Sequence, residues 1–214
     1  MRNSQASRIL AHRGHWKGEF GLQDLEPNSL KALLRAVENG FGIETDLRDH
    51  CGEIVISHDP VKDFALKFGE FEELDVRGLV ALNVKSDGLV PLLTSSPISS
   101  PFEYFFFDMS FPEQRKYSEN QLPFASRMSE VENIIHDRSQ YIWLDSFESD
   151  WFIGKSSLTL RAAERKVILV SPELHNRPYL LAWKWVANAM ATNANLFICT
   201  DFPSQFLKYL EGNS

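Results

Sequence analysis

Residues 28–59 read NSLKALLRAVENGFGIETDLRDHCGEIVISHD, and the fold turns on how they are read. Asn28 or Ser29 offers a side-chain oxygen to cap a helix, Leu30, Leu33, Leu34 and Val37 recur at helical spacing, and Asn39-Gly40 ends the run. Gly42 to Leu47 is then a short apolar run with the length of a strand. Glu44 and Asp46 stand two positions apart on it, so both carboxylates project from the same face. Asp49-His50-Cys51-Gly52 is a turn, and Glu53 to Ser57 reads as an extra strand ending at His58-Asp59, which makes a small hairpin after the second strand.

The same order continues outward in both directions. Strand-like runs fall at Ile9 to Ala11, Gly42 to Leu47, Leu79 to Lys85, Tyr104 to Met109, Leu122 to Met128, Tyr141 to Asp145, Lys166 to Ser171 and Asn195 to Thr200. Helices are expected at Asn28 to Glu38, Phe64 to Leu74, Pro112 to Ser118, Ser129 to His136, Leu158 to Arg165 and Pro178 to Met190, with a short turn around Val90 to Thr94. Strand followed by helix, repeated, implies parallel strands with crossover helices. Eight such units predict an α/β protein folded as one (β/α)₈ barrel, with residues 1–214 as a single domain and no cap or insertion domain. The competing arrangement is an open doubly wound sheet, for which no glycine-rich phosphate loop is present. The Ser- and Pro-rich segment Thr94 to Pro101 reads as a loop within the domain.

Composition narrows the function. The 22 Lys and Arg against 29 Asp and Glu give a net charge of −7, with 43% hydrophobic and 24% charged residues, as in an ordinary globular protein. An acidic chain without a Lys/Arg-rich run is not built to bind nucleic acid or anionic membrane non-specifically. No run approaches the ~18 apolar residues of a membrane span, and the polar start lacks the apolar stretch of a secretory signal. Cys51 and Cys199 are too few for a disulfide framework, so a cytoplasmic, reducing location is expected.

In such a barrel the chemistry sits where strands end. His12 and Arg13 close the first strand, Glu44 and Asp46 lie on the second, and Asn83 and Lys85 repeat the two-residue spacing on the third. Two carboxylates on one face repel each other and resist burial, and a divalent cation such as Mg²⁺ or Ca²⁺ resolves both problems. The plainer alternative is a structural ion network of Glu44 and Asp46 with Arg48 or Lys85. Asp108, Asp145, Glu173 and Asp201 also close strands, where a carboxylate is commonly a helix cap or loop anchor. His15, His50 and His136 read as structural or surface groups, and Trp183 and Trp185 as packing.

Taken together, Leu10-Ala11-His12-Arg13-Gly14, the helix opened by Asn28-Ser29, Gly42-Ile43-Glu44-Thr45-Asp46-Leu47 and Gly52 to His58-Asp59 resemble the glycerophosphodiester phosphodiesterase family. Thr200-Asp201-Phe202-Pro203 resembles that family's closing strand. The resemblance implies a barrel hydrolase that cleaves a small-molecule glycerophosphodiester to glycerol 3-phosphate and an alcohol, as in lipid metabolism. It implies His12 and His58 as the acid/base pair, Arg13 and Lys85 on the substrate phosphate, and Glu44 and Asp46 as ligands of one divalent metal, Mg²⁺, Ca²⁺ or Mn²⁺. Imidazoles suit both proton transfers near neutral pH.

This chain also departs from the family pattern. Pro27 stands where members have Glu, with Glu26 one position earlier, and Asn83 stands where they have the third acidic metal ligand. Only Pro60 to Gly78 separates the His-Asp motif from the third strand, so an open mouth is expected. Two alternatives follow: metal-independent, phospholipase-C-like cleavage to a cyclic phosphate, and a barrel that binds phosphorylated ligands without turnover. Glu173 and His175, dense in polar function after the seventh strand, are candidate contacts for the alcohol part of the substrate.

Overall fold

Each of the eight apolar runs forms a strand in the computed structural model, which describes residues 5–155 and 164–212. The strands are β1 (Ile9–His12), β2 (Gly42–His50), β3 (Glu53–Ile56), β4 (Leu66–Lys67), β5 (Val80–Val84), β6 (Tyr104–Phe107), β7 (Ala125–Met128), β8 (Tyr141–Leu144), β9 (Lys166–Val170) and β10 (Leu196–Thr200). The helices are α1 (Leu30–Glu38), α2 (Phe68–Glu72), α3 (Val90–Ser95), α4 (Phe111–Glu119), α5 (Leu180–Thr192) and α6 (Pro203–Gly212). The result is a mixed α/β fold around a central sheet.

Parallel pairing runs β7-β8-β9-β10-β1-β2-β5-β6. At the ends of this series Phe106 N–H donates to Pro123 O at 2.9 Å and Phe106 bridges in parallel to Phe124, which links β6 to the segment entering β7. β2 continues past its parallel neighbours and turns at Cys51-Gly52. β3 returns antiparallel to it, Leu47 opposite Ile56 and His50 opposite Glu53.

Two apolar clusters lie on the two faces of the sheet. The larger, with Ile9, Leu33, Ile43, Leu82, Phe106, Ile142, Leu169 and Ile198, joins the sheet to its helices. The second holds the alternate residues Leu10, Ala81, Phe105, Phe107, Tyr141, Trp143, Ile168 and Cys199. Here Phe107 stacks on Trp143 with ring centroids 3.9 Å apart, and Phe105 on Tyr141 at 4.4 Å.

Three helix expectations are corrected or fall elsewhere. No helix forms over 129–136. Ser129 Oγ accepts from Val131 and Glu132 N–H at 3.3 and 3.1 Å, and Ser126 Oγ accepts from His136 N–H at 2.9 Å. Ser129 thus makes the bonds of an N-cap with no helix following it, while Ser126 takes the His136 amide that a helix would direct to its own carbonyls. The expected helix over 64–74 is instead β4, paired antiparallel with β3, followed by the five-residue α2. The expected helix over 158–165 lies almost wholly outside the described residues. Among the described residues no helix is long and apolar enough to cross a membrane.

Candidate active site

The two-residue period of the strands that buries the second cluster also builds the site. Continuing from Leu10 reaches His12, from Ala81 reaches Asn83, from Trp143 reaches Asp145 and from Cys199 reaches Asp201. An apolar face therefore ends in a polar layer at the carboxyl ends of the strands. Register brings members of this layer side by side: His12 opposite Glu44 and Asp46 opposite Asn83.

Glu44 and Asp46 are buried, at 1% and 0% exposure, and each is surrounded by donors. Arg13 N–H donates to Glu44 Oε2 at 3.1 Å, and its Nε stands 3.2 Å from Asp46 Oδ2. Asn28 Nδ2 donates to Asp46 Oδ2 at 2.7 Å while Asn28 Oδ1 accepts from Thr45 Oγ1 at 2.9 Å. Lys85 Nζ lies 3.3 Å from Asp46 Oδ1, and Asn83 Nδ2 donates to Glu44 Oε1 at 3.3 Å. Burial first, and then repulsion from Asp46, push the Glu44 carboxyl above its ordinary value.

The backbone is bent to deliver these groups. Arg13 and Asn28 both adopt left-handed conformations, with φ of 55° and 61°. Gly14 follows at φ 80°, where an added Cβ would lie 2.7 Å from the carbonyl carbon of Ala32. His15 N–H bonds Ala32 O at 3.0 Å, so the turn after β1 rests directly on the first turn of α1.

His12 is held from the other side. Its Nδ1 lies 2.7 Å from Asp201 Oδ1, and its Nε2 faces Glu44 Oε2 at 3.9 Å. Lys17 Nζ pairs with Asp201 Oδ2 at 2.9 Å. Burial opposes charge on His12, but the hydrogen bond to Asp201 and the charges of Glu44 and Asp201 outweigh it and raise the imidazole's pKa. The same pairing, with Lys17, holds the Asp201 carboxyl below its usual range despite burial. Glu173 stands behind this pair: it accepts from Ser171 Oγ, from Thr200 Oγ1 and, at 3.2 Å, from Asp201 N–H.

The structure thus brings His12, Arg13, Glu44, Asp46, Asn83 and Lys85 into one network. His58 stands apart at the end of the hairpin, its side chain 43% exposed and its Nδ1 2.9 Å from Asp59 Oδ1. His175 pairs with Asp145, Nε2 to Oδ1 at 2.6 Å, with the Phe147 ring against it. Glu26 is exposed. Asn28 was expected only as a helix cap, yet Ser29 caps α1, accepting from Ala32 N–H, and Asn28 goes to the carboxylates. Lys17 has no motif to mark it. Asp201 is marked by Thr200-Asp201-Phe202-Pro203, although a carboxylate that closes a strand reads equally as a cap.

Among the described residues no group of three or more His, Cys, Asp and Glu side chains is arranged to hold a metal ion. What the network offers a cation is oxygen from Glu44, Asp46 and Asn83. Asp46 Oδ1 and Asn83 Oδ1, at paired positions of adjoining strands, are buried and accept no hydrogen bond. Hard oxygen donors of this kind fit Mg²⁺ or Ca²⁺.

No family model matches the chain, and no curated protein matches its sequence. Solved structures do match it in shape. A protein assigned as a glycerophosphoryl diester phosphodiesterase from Silicibacter pomeroyi DSS-3 aligns over 99% of this chain and 95% of its own, with a TM-score of 0.63 and 12% identity. A phosphodiesterase from Oleispira antarctica, solved with the product sn-glycerol 3-phosphate, aligns over 95% of this chain and 96% of its own, with a TM-score of 0.58 and 15% identity. At such identities the likeness is one of fold, and the chain has the mixed α/β fold of these two phosphodiesterases over nearly its whole described length.

Proposed function

We propose that the chain is a phosphodiester hydrolase of the glycerophosphodiester phosphodiesterase kind, built as a single (β/α)₈ barrel. The two separate apolar clusters and the Phe106–Phe124 bridge support closure of the sheet. The observation that carries the function is the His12–Asp201 pair, 2.7 Å apart and in register with the carboxylate strand β2.

In this reading Asp201 fixes the His12 tautomer so that Nε2 faces the substrate. The raised pKa of His12 favours the protonated form, which suits delivery of a proton to the departing alkoxide. His58, with Asp59 behind it, takes the proton of the attacking water. The bond from Ser57 N–H to the Asp46 backbone O at 3.1 Å supports this assignment, because it ties the end of the hairpin to the strand that carries the carboxylates. Arg13 and Lys85 bind the phosphoryl oxygens and stabilise the charge that gathers there. Glu44, Asp46 and Asn83 would hold one divalent cation, Mg²⁺, Ca²⁺ or Mn²⁺, which when bound supplies further positive charge at those oxygens.

A second reading, cleavage to a cyclic phosphate without metal, is favoured by one observation: Arg13 and Lys85 already stand at Asp46, at 3.2 and 3.3 Å. In that case a hydroxyl of the substrate itself is the nucleophile. Two free thiols, Cys51 exposed and Cys199 buried, support a reducing compartment such as the cytoplasm. A panel of glycerophosphodiesters, assayed with each metal and with a chelator, tests the proposal. Turnover to glycerol 3-phosphate that falls by about 10²-fold or more in His12→Ala is expected. A cyclic product that survives the chelator selects the second reading, and saturable binding with no product under any condition overturns both.

A further inference from the structure

Beside the phosphate site lies a cavity of about 580 Å³ between the loops that follow β5, β6 and β7. Lys85 belongs to both: its Nζ pairs with Asp46 and its side chain lines the cavity. A diester whose phosphate meets Lys85 therefore has this cavity next to one of its two ester oxygens. The volume falls in the range that encloses a drug-sized ligand, well beyond what glycerol alone fills.

The lining is mixed, with Asp87, Ser110, Gln114 and Asn133 beside its ion-paired and apolar groups. Its charged floor is already paired: Arg127 donates to Asp108 Oδ1 at 2.9 Å and to Glu132 Oε2 at 2.5 Å. Its lip is apolar and uncovered, with Val131 82%, Ile134 71% and Phe111 51% exposed. The lip is also held in place. Glu130 accepts from the N–H groups of Phe147, Glu148 and Ser149 at 3.2, 3.0 and 3.0 Å, and Ser129 and Ser126 fix the segment on either side. This is the one described crossover of the parallel series in which the strand-then-helix order was expected and a helix is replaced by shaped loop.

Resting on the proposed hydrolase reading, we infer that this cavity receives one alcohol group of the diester and that this group carries hydrocarbon. A polyol could bond Gln114 and Asn133 but would leave Val131, Ile134 and Phe111 in water. An alkyl-bearing alcohol covers them, and removal of that apolar surface from water favours binding.

The test compares the ethyl and octyl diesters of sn-glycerol 3-phosphate on the full chain, reading the ratio of their kcat/KM and, by calorimetry, the ratio of their Kd. The octyl ester is expected to be preferred by at least about tenfold, the gain from burying about two methylene groups. In the double variant Val131→Ser with Ile134→Ser the ratio falls to about one. In Leu180→Ser with Leu181→Ser, where similarly exposed side chains outside this cavity are changed, the preference persists. Equal ratios in the unmodified protein, a preference that survives loss of Val131 and Ile134, or one lost in both double variants overturns the inference. If neither ester is turned over but the binding preference behaves as stated, the hydrolase reading fails and the hydrocarbon site stands.

Discussion

Asp201 lies between β10 and α6, one residue ahead of the cap position held by Phe202, whose carbonyl accepts from Phe206 N–H at 2.9 Å. The oxygens of Asp201 go to His12 and Lys17, and the side-chain capping of α6 comes from elsewhere. Glu19, buried in the loop after β1 and held by His15 Nε2 at 2.8 Å, accepts from Ser204 and Gln205 N–H at 3.1 and 2.7 Å. A long-range carboxylate thus caps α6, while the nearby Asp201 pairs with His12. Asp201→Asn is expected to keep the fold and the placement of Arg13 and Lys85 at Asp46 while misorienting the imidazole. kcat on a glycerophosphodiester should fall by about 10²- to 10⁴-fold with a much smaller change in KM. A kcat equal to that of the unmodified protein would remove Asp201 from the proposed mechanism.

Among the elements, strands were legible and several of their connections were not. A strand in this sheet is buried on both faces, so it appears as a short apolar run that needs no partner to be recognised. The crossover over 129–140 has helix-like spacing, but its conformation is decided by Glu130 bonding residues 147–149, a destination that local sequence does not display. β4 likewise exists because β3 offers it an edge. The site divides the same way. His12, Glu44, Asp46 and Lys85 follow from strand ends and period two, whereas Asn28 is recruited by its left-handed backbone and Lys17 by the fold of the loop after β1.

At the opposite, amino ends of the strands, Glu103 joins three elements: just ahead of β6, it accepts from Tyr141 Oη of β8 at 2.7 Å and from Lys166 Nζ of β9 at 2.5 Å. Burial acts to raise its pKa, but the bonds from Lys166 and Tyr141 outweigh it and the carboxyl titrates below its usual range. A depressed folded-state pKa stabilises the protein above the unfolded value of about 4.3. That stabilisation is lost as pH falls through the lower folded value. Because the Glu103 side chain is 48% exposed, solvent screening limits the effect to about 1 kcal/mol or less. Denaturant midpoints of Glu103→Gln and the unmodified protein should therefore differ at pH 7, and the gap should narrow as pH falls below about 4.3. A gap that persists unchanged in acid would show that packing, and not the charge, carries the contribution.

For the molecule as a whole, charge and proposed substrate have the same sign. The chain carries −7, while an anionic diester would be met by Arg13, Lys17 and Lys85 at a mouth that also holds Glu44, Asp46 and Asp201. Three cations against three carboxylates leave the side chains of that network near neutrality, the proposed divalent cation and a protonated His12 would add positive charge only at the mouth, and the far field of the acidic chain repels. Salt shortens the Debye length to about 8 Å at physiological ionic strength, which screens the distant repulsion more than the close contact. Going from about 10 mM to 150 mM salt should thus leave kcat/KM for an anionic diester unchanged or raise it up to about threefold. The steep fall seen when a protein steers its ligand electrostatically is not expected. Initial rates over that range, at constant metal concentration, make the comparison. A tenfold decline would mean that the basic groups at the mouth outweigh the acidic surface and draw the substrate from a distance.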